Sequence, residues 1–195
     1  EGDAIAVALL SRLSDLAPVC FVNGNHEMCV ERHQPERYQK FMDDLKNGGV
    51  QVLHNETAWF WIDGEKVAVT GYELPWEYYR RFSRRHPSVV GMERSIGKRK
   101  QDAYQILLTH NPVFFEEYTA WGADFTFAGH LHGGFIRLPY FGGVISPQFQ
   151  LFPKYDHGLY QMDTSSMVVG AGMGNHSGLF RINNPTEIVT VRIKR

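Results

Sequence analysis

Short apolar segments rich in β-forming residues alternate along this chain with amphipathic segments of helical periodicity, and this alternation constrains the fold more than any other feature. The segments Val19-Cys20-Phe21-Val22 and Ile106-Leu107-Leu108-Thr109 are typical of buried strands. Residues 34–47 place Phe41 and Leu45 on one face, and Gly48-Gly49 follows them, which is typical of a helix and its end. The pattern therefore predicts an α/β protein.

The same reasoning predicts the remaining elements. We predict helices over residues 3–16, 34–47 and 113–121. We predict strands over residues 19–22, 50–53, 57–62, 66–71, 106–109 and 125–128, and near 159–163, 166–171 and 187–193. The first helix should bury an apolar face made of Ile5, Leu9, Leu13 and Leu16. Asp63-Gly64 is a strong hairpin signal between two of the strands.

Length and composition are those of one globular domain, which we expect to span residues 1–195. Of these 195 residues 43% are hydrophobic, which is enough for a sizeable core. The formal net charge is −1, so the protein has no overall field that would favour nucleic acid. The two cysteines, Cys20 and Cys29, lack the spacing of a thiolate zinc site, and no apolar run is long enough to span a membrane.

Basic residues are concentrated between Arg80 and Lys100, inside a segment at about 76–102 that we interpret as an insertion. Eight lysines and arginines there face a single acid, Glu93. The segment is interpreted first as a solvated helical insertion. The alternative is a patch that attracts an anionic substrate or lipid headgroups.

Three predicted strands end in turns that carry asparagine or histidine. These turns contain Asn25, His110, and the pair His130 and His132. Ligands and catalytic groups converge at the carboxyl ends of strands in α/β proteins, and amide oxygen and neutral imidazole suit first-row divalent metals. The set looks like part of a binuclear hydrolytic centre that has too few carboxylates to balance two ions. A second Gly-Asn-His stretch lies within residues 172–178, but no acid follows it, and we interpret it as a turn.

These motifs resemble those of a known family. Gly24-Asn25-His26-Glu27, His110 and Gly129-His130-Leu131-His132 match, in order and spacing, the last three motifs of the calcineurin-like metallophosphoesterases. The C-terminal stretches 152–160 and 181–188 are similar to the YkuE-like branch of bacterial phosphoesterases. The resemblance covers most of the chain except the basic insertion.

The resemblance implies a fold, a cofactor and residue roles. The fold would be a four-layer α/β sandwich, with two packed mixed β-sheets flanked by helices. The reaction would be metal-dependent hydrolysis of a phosphomonoester or phosphodiester, using two divalent ions such as Mn²⁺, Fe or Zn²⁺ and a metal-activated water. Asn25, His110 and His130 would bind one metal and His132 the other. His26 would act as general acid or stabilise charge at the leaving group, with Glu27 orienting it.

The chain departs from the family pattern at its start. The Asp-x-His and Gly-Asp-x-x-Asp motifs, which supply the carboxylates in the family, are not in this sequence. We therefore expect an N-terminally truncated domain with partial or empty metal sites and low activity on its own. One alternative is a phosphoesterase fold that serves as a non-catalytic interaction scaffold. A nuclease would need a basic groove near the ligands, whereas the basic cluster lies in the insertion.

The resemblance also bears on partners and localisation. It implies a small-molecule or lipid-linked phosphoester as substrate and no nucleic-acid partner. It is compatible with a soluble cytoplasmic domain or with peripheral membrane association through a missing N-terminal segment. No residue in the chain indicates the substrate, the oligomeric state or the compartment.

Overall fold

The structure is a computed structural model that describes residues 2–80, 85–134, 136–138, 142–144, 151–174 and 181–193. The helices are α1 (Gly2–Ser14), α2 (Asn25–His33), α3 (Pro35–Asn47), α4 (Val89–Ile96) and α5 (Phe115–Trp121), with 3-10 turns at Trp76–Tyr79 and Pro112–Phe114. The strands are β1 (Cys20–Phe21), β2 (Gln51–Val52), β3 (Thr57–Ile62), β4 (Glu65–Tyr72), β5 (Tyr104–Thr109), β6 (Phe125–Ala128), β7 (Arg137–Leu138), β8 (Gly142–Gly143), β9 (Gly158–Met162) and β10 (Ser165–Val169). The α/β class predicted from the alternation is confirmed.

A six-stranded mixed sheet in the order β3-β4-β5-β6-β10-β9 dominates the structure. The four central strands are parallel, and β3 and β9 are antiparallel edge strands. The β3–β4 hairpin turns at Asp63 and Gly64, both with positive φ, as the sequence predicts. Because the central strands are parallel, their carboxyl ends form one edge of the sheet.

The described residues stack in four layers. The parallel pair β1–β2 has side chains on both of its faces. Cys20 and Leu53 pack with Ile106 and Leu108 of the six-stranded sheet, whereas Phe21 and Val52 pack against α1 and α3. Helices α4 and α5 cover the opposite face of the six-stranded sheet. The predicted sandwich of two packed sheets flanked by helices is thus observed, with only two strands in the smaller sheet.

The predicted apolar face of α1 is wrong. Ile5 and Leu16 are 68% and 83% exposed, and Leu9 and Leu13 are also exposed. Val7 and Leu10, on another face of the helix, pack against α3 instead. The spacing identified a helix, but it did not identify the face that the neighbouring helix covers.

Two further predictions differ from the structure. The sequence does not predict helix α2, because Asn23-Gly24-Asn25 is typical of a turn. In the structure β1 ends at Phe21 and the helix begins directly at Asn25, the last residue of that motif. The predicted strand at 187–193 is wrong, since the described residues there have no strand partner. That segment lines a cavity of about 610 Å³ together with residues of β9 and β10.

Several predictions fall on segments outside the described residues. Arg81 and Arg84 of the basic cluster, and residues 175–178 of the second Gly-Asn-His stretch, are among them. The part of the insertion that is described contains the 3-10 turn Trp76–Tyr79 and helix α4. Over the described chain, every helix is too short or too polar to cross a lipid bilayer.

Close contact between the two sheets generates a stability prediction. A Cβ at Gly71 of β4 would lie 2.6 Å from Leu53 Cβ and would also collide with the Leu53 carbonyl oxygen, which belongs to backbone and cannot swing away. We expect Gly71→Ala to lower the free energy of unfolding by about 1–3 kcal/mol, as overpacking does. Gly170→Ala is the control, because a Cβ there meets Val189 at an ordinary 3.6 Å. Equal urea midpoints for the two variants would contradict the packing described.

Candidate metal centre

The three predicted turns meet at the carboxyl edge of the six-stranded sheet. Strands β5 and β6 are adjacent and parallel, so His110, which follows β5, lies beside His130, which follows β6. Their imidazole centroids are 4.9 Å apart with the rings edge to face. The side-chain oxygen of Asn25 lies 3.1 Å from His130 Nδ1. Residues separated by 105 positions in the chain are therefore in direct contact.

Gly24 allows the first turn to approach the second. A Cβ at Gly24 would lie 2.8–2.9 Å from atoms of the His110 ring, a distance shorter than Cβ atoms of real side chains keep from their neighbours. The backbone before α2 therefore rests directly on this imidazole. A glycine immediately before Asn25 is required by this close approach rather than by an unusual φ.

The surroundings keep His110 uncharged. Burial, together with charge repulsion from the nearby imidazoles of His132 and His26, lowers the pKa of His110 to about 4. At neutral pH the imidazole thus has a free lone pair, which is the form that binds a metal. His26 and His132 therefore lie near enough to His110 for their charges to affect its protonation.

His26 and Glu27 occupy the first turn of α2. His26 is exposed, so solvent or a ligand can reach its imidazole. The Glu27 carboxylate accepts a 2.8 Å hydrogen bond from the Gly24 backbone N–H. This contact fixes the start of the helix, where partial positive charge from the backbone N–H groups favours an anion. Glu27 thus stabilises the start of the helix.

His132 is held by residues far along the chain. Arg181 Nη2 lies 3.3 Å from His132 Nδ1, and Nδ1 is the acceptor because a guanidinium only donates. A metal at His132 would therefore require the ring to turn or this contact to break. Arg181 also donates to the carbonyl oxygens of Ala171 and Gly174.

Tyr79 packs against the histidines of the site, and the sequence analysis did not predict this. Its ring is buried, and its centroid lies 5.2 Å from that of His130 and 6.1 Å from that of His110. It comes from the 3-10 turn that starts the basic insertion, so the insertion contributes to the site. No spacing signal connects Tyr79 to the histidines, because the link is made only by the fold.

The donor set fits part of a divalent-metal site. One amide oxygen and imidazole nitrogens are ligands that Mn²⁺, Fe, Co²⁺ and Zn²⁺ accept, but the four residues carry no negative charge. Across the residues that the structure describes, no three His, Cys, Asp or Glu side chains converge closely enough to hold a metal by themselves. The set is thus suited to bind a cation together with further oxygen ligands.

Comparison with known proteins agrees with this geometry. The model of the calcineurin-like phosphoesterase family matches residues 3–134. The chain belongs to this family, because the match includes every motif placed at the carboxyl edge. No solved structure matches the chain significantly.

Three bacterial relatives share parts of the sequence. The uncharacterized metallophosphoesterase YkuE of Bacillus subtilis is 30% identical over 102 residues, which cover 52% of this chain and 35% of YkuE. The uncharacterized protein YpbG of the same organism is 30% identical over 129 residues, 64% of this chain and 42% of YpbG. The phosphodiesterase YaeI of Escherichia coli is 24% identical over 185 residues, 95% of this chain and 62% of YaeI. The chain thus spans about a third to three fifths of the length of these three relatives.

Packing of Tyr79 against both histidines predicts a loss of stability on truncation. We expect Tyr79→Ala to lower the free energy of unfolding by about 3 kcal/mol, because it leaves a cavity beside His110 and His130. Tyr79→Phe keeps the ring, and we expect it to lose much less. Chemical denaturation of the metal-free protein measures both values. An equal loss in the two variants would show that the ring contacts do not stabilise this part of the fold.

Proposed function

We propose that this chain is the metal-binding part of a phosphoester hydrolase that uses two divalent ions. The observation that carries the proposal is the contact of Asn25 with His130, beside the uncharged His110, at one edge of the sheet. The family match supports the reaction class, and the name of YaeI supports testing a phosphodiester first. The ligands of the first ion would be Asn25, His110 and His130, and His132 would bind the second.

The protein's own residues have defined tasks in this proposal. A divalent cation at such a site supplies polarisation of a phosphoryl oxygen and acidification of water. The exposed imidazole of His26 would donate a proton to the leaving-group oxygen. The N-terminus of α2, fixed by Glu27, would favour negative charge that develops on the phosphoryl group. The buried ring of Tyr79 would exclude water from one side of the histidines.

Substitution of His26 tests the proton-donor role. We expect His26→Ala to lower kcat for diphenyl phosphate, whose phenolate leaving group is poor, by about 100-fold or more in the full-length protein reconstituted with Mn²⁺. His33→Ala is the matched control, because His33 is an exposed histidine at the far end of the same helix. Similar rates for the two variants would remove His26 from the mechanism. The loss should be smaller for an ester with a better leaving group, which needs less protonation.

Removal of metal tests the proposal as a whole. We expect a chelator to abolish hydrolysis of both p-nitrophenyl phosphate and bis(p-nitrophenyl) phosphate. Addition of Mn²⁺, Fe²⁺, Zn²⁺ or Co²⁺ should restore it, because in this proposal the metal ions stabilise the negative charge of the phosphoryl group. Asn25→Ala should require more metal for half-maximal activity. Failure of the full-length protein to hydrolyse either ester with any of these metals would favour the scaffold alternative.

A further inference from the structure

The turn that carries His130 and His132 has an unfavourable backbone. His130 and His132 have φ values of 67° and 50°, and Gly133 and Gly134 follow at 69° and 82°. Glycine adopts such left-handed φ values freely, but a residue with a Cβ pays about 1 kcal/mol or more for them. The surrounding structure must therefore hold the two histidines in this conformation.

Asn184 stabilises the backbone conformation of this turn. It is 4% exposed, and its side-chain Nδ2 donates to the carbonyl oxygens of His132, at 2.5 Å, and Gly134, at 2.7 Å. Its Oδ1 would lie 2.8 Å from a Cβ at Gly133, so the amide group fills the space that this glycine leaves. A single side chain thus joins the carbonyl of the strained His132 to that of Gly134 and satisfies both.

Asn184 is itself anchored on both sides. Arg181 donates to the Ala171 and Gly174 carbonyls after β10. Beyond Asn184, the Glu187 carboxylate accepts from the Ala171 backbone N–H at 2.7 Å and pairs with His157 at 2.7 Å. Both anchors lie at the end of β10, the strand next to β6 in the sheet. The amide of Asn184 is therefore presented from a fixed segment.

We propose that Asn184 is a positioning residue for the metal centre. It holds the backbone from His132 to Gly134, directly after His130, and so keeps the histidine turn in the conformation that places His130 against Asn25 and His110. The inference rests on the proposed function, because positioning has a purpose only if these histidines bind metal. Mutation of a residue that orients metal ligands typically lowers the metal affinity about 10- to 100-fold.

A pair of neighbouring asparagines provides a matched test. Asn184→Asp replaces the donor NH₂ with oxygen that repels both carbonyls, whereas Asn183→Asp makes the same change in charge at an exposed neighbour. Asn183 has φ 53°, which aspartate also tolerates. Asn184→Ala, with Asn183→Ala beside it, removes the donor without adding charge in case the buried carboxylate prevents folding.

The measurement is a Co²⁺ titration of the full-length protein followed by visible absorption. We expect the apparent Kd for Co²⁺ to rise about 10- to 100-fold for Asn184→Asp and Asn184→Ala, with altered ligand-field bands, and to change less than twofold for both Asn183 variants. Equal affinity and equal spectra for the variants at 184 and 183 would overturn the positioning role while leaving the proposed function intact.

Amide hydrogen exchange in metal-free protein separates the proposed metal binding from the restraint that Asn184 places on the turn, which we call the backbone clamp. We expect faster exchange of the segment 129–134 in Asn184→Ala than in Asn183→Ala. If the unsubstituted protein binds no Co²⁺, the proposed function fails, and faster exchange would then support the backbone clamp alone. Unchanged exchange in that segment would overturn the clamp as well.

Discussion

Parallel pairing of β5 with β6 is the constraint on which the candidate site depends. Ile106 pairs with Phe125 and Leu108 with Phe127, and this register brings the strand ends at His110 and His130 level with each other. A slip of one residue would turn the side chains to the opposite face of the sheet. Helix α5, which links the two strands, packs its buried Phe115 and Tyr118 on the sheet and fixes that register.

The chain segment after the smaller sheet supplies the third predicted ligand, Asn25. Strand β1 packs on the six-stranded sheet through Cys20, and the chain then passes over His110 at Gly24 to begin α2. The site is thus assembled from two sheets, one helix start and one strained turn. Each part is held by ordinary packing or hydrogen bonds, and the strain is confined to the turn that carries His130 and His132.

The sequence predicts those helices, strands and turns that are determined by neighbouring residues. The β3–β4 hairpin, helix α3 and the strands before His110 and His130 follow from periodicity and turn residues over fewer than 15 positions. The predicted ligands Asn25, His110 and His130 could be grouped because strand ends converge in α/β folds. Whether they bind metal stays a prediction.

Features that depend on distant contacts could not be read from the sequence. The buried face of α1 depends on where α3 lies, and the unpaired segment 187–193 depends on which strands are available to it. Tyr79 and Asn184 act through the fold, since the contacts of Tyr79 with His130 and of Asn184 with His132 join residues that are distant in the sequence. Asn183-Asn184-Pro185 is typical of a turn, and a turn signal does not indicate that the Asn184 side chain reaches the backbone of His132.

Anomalous diffraction from crystals of the full-length protein grown with Mn²⁺ tests the central claim most directly. We predict a peak within bonding distance of Asn25 Oδ1 and of imidazole nitrogens from His110 and His130. An ordered, fully occupied Mn²⁺ bound away from these side chains would contradict it. So would a protein that hydrolyses phosphoesters while these side chains bind no metal.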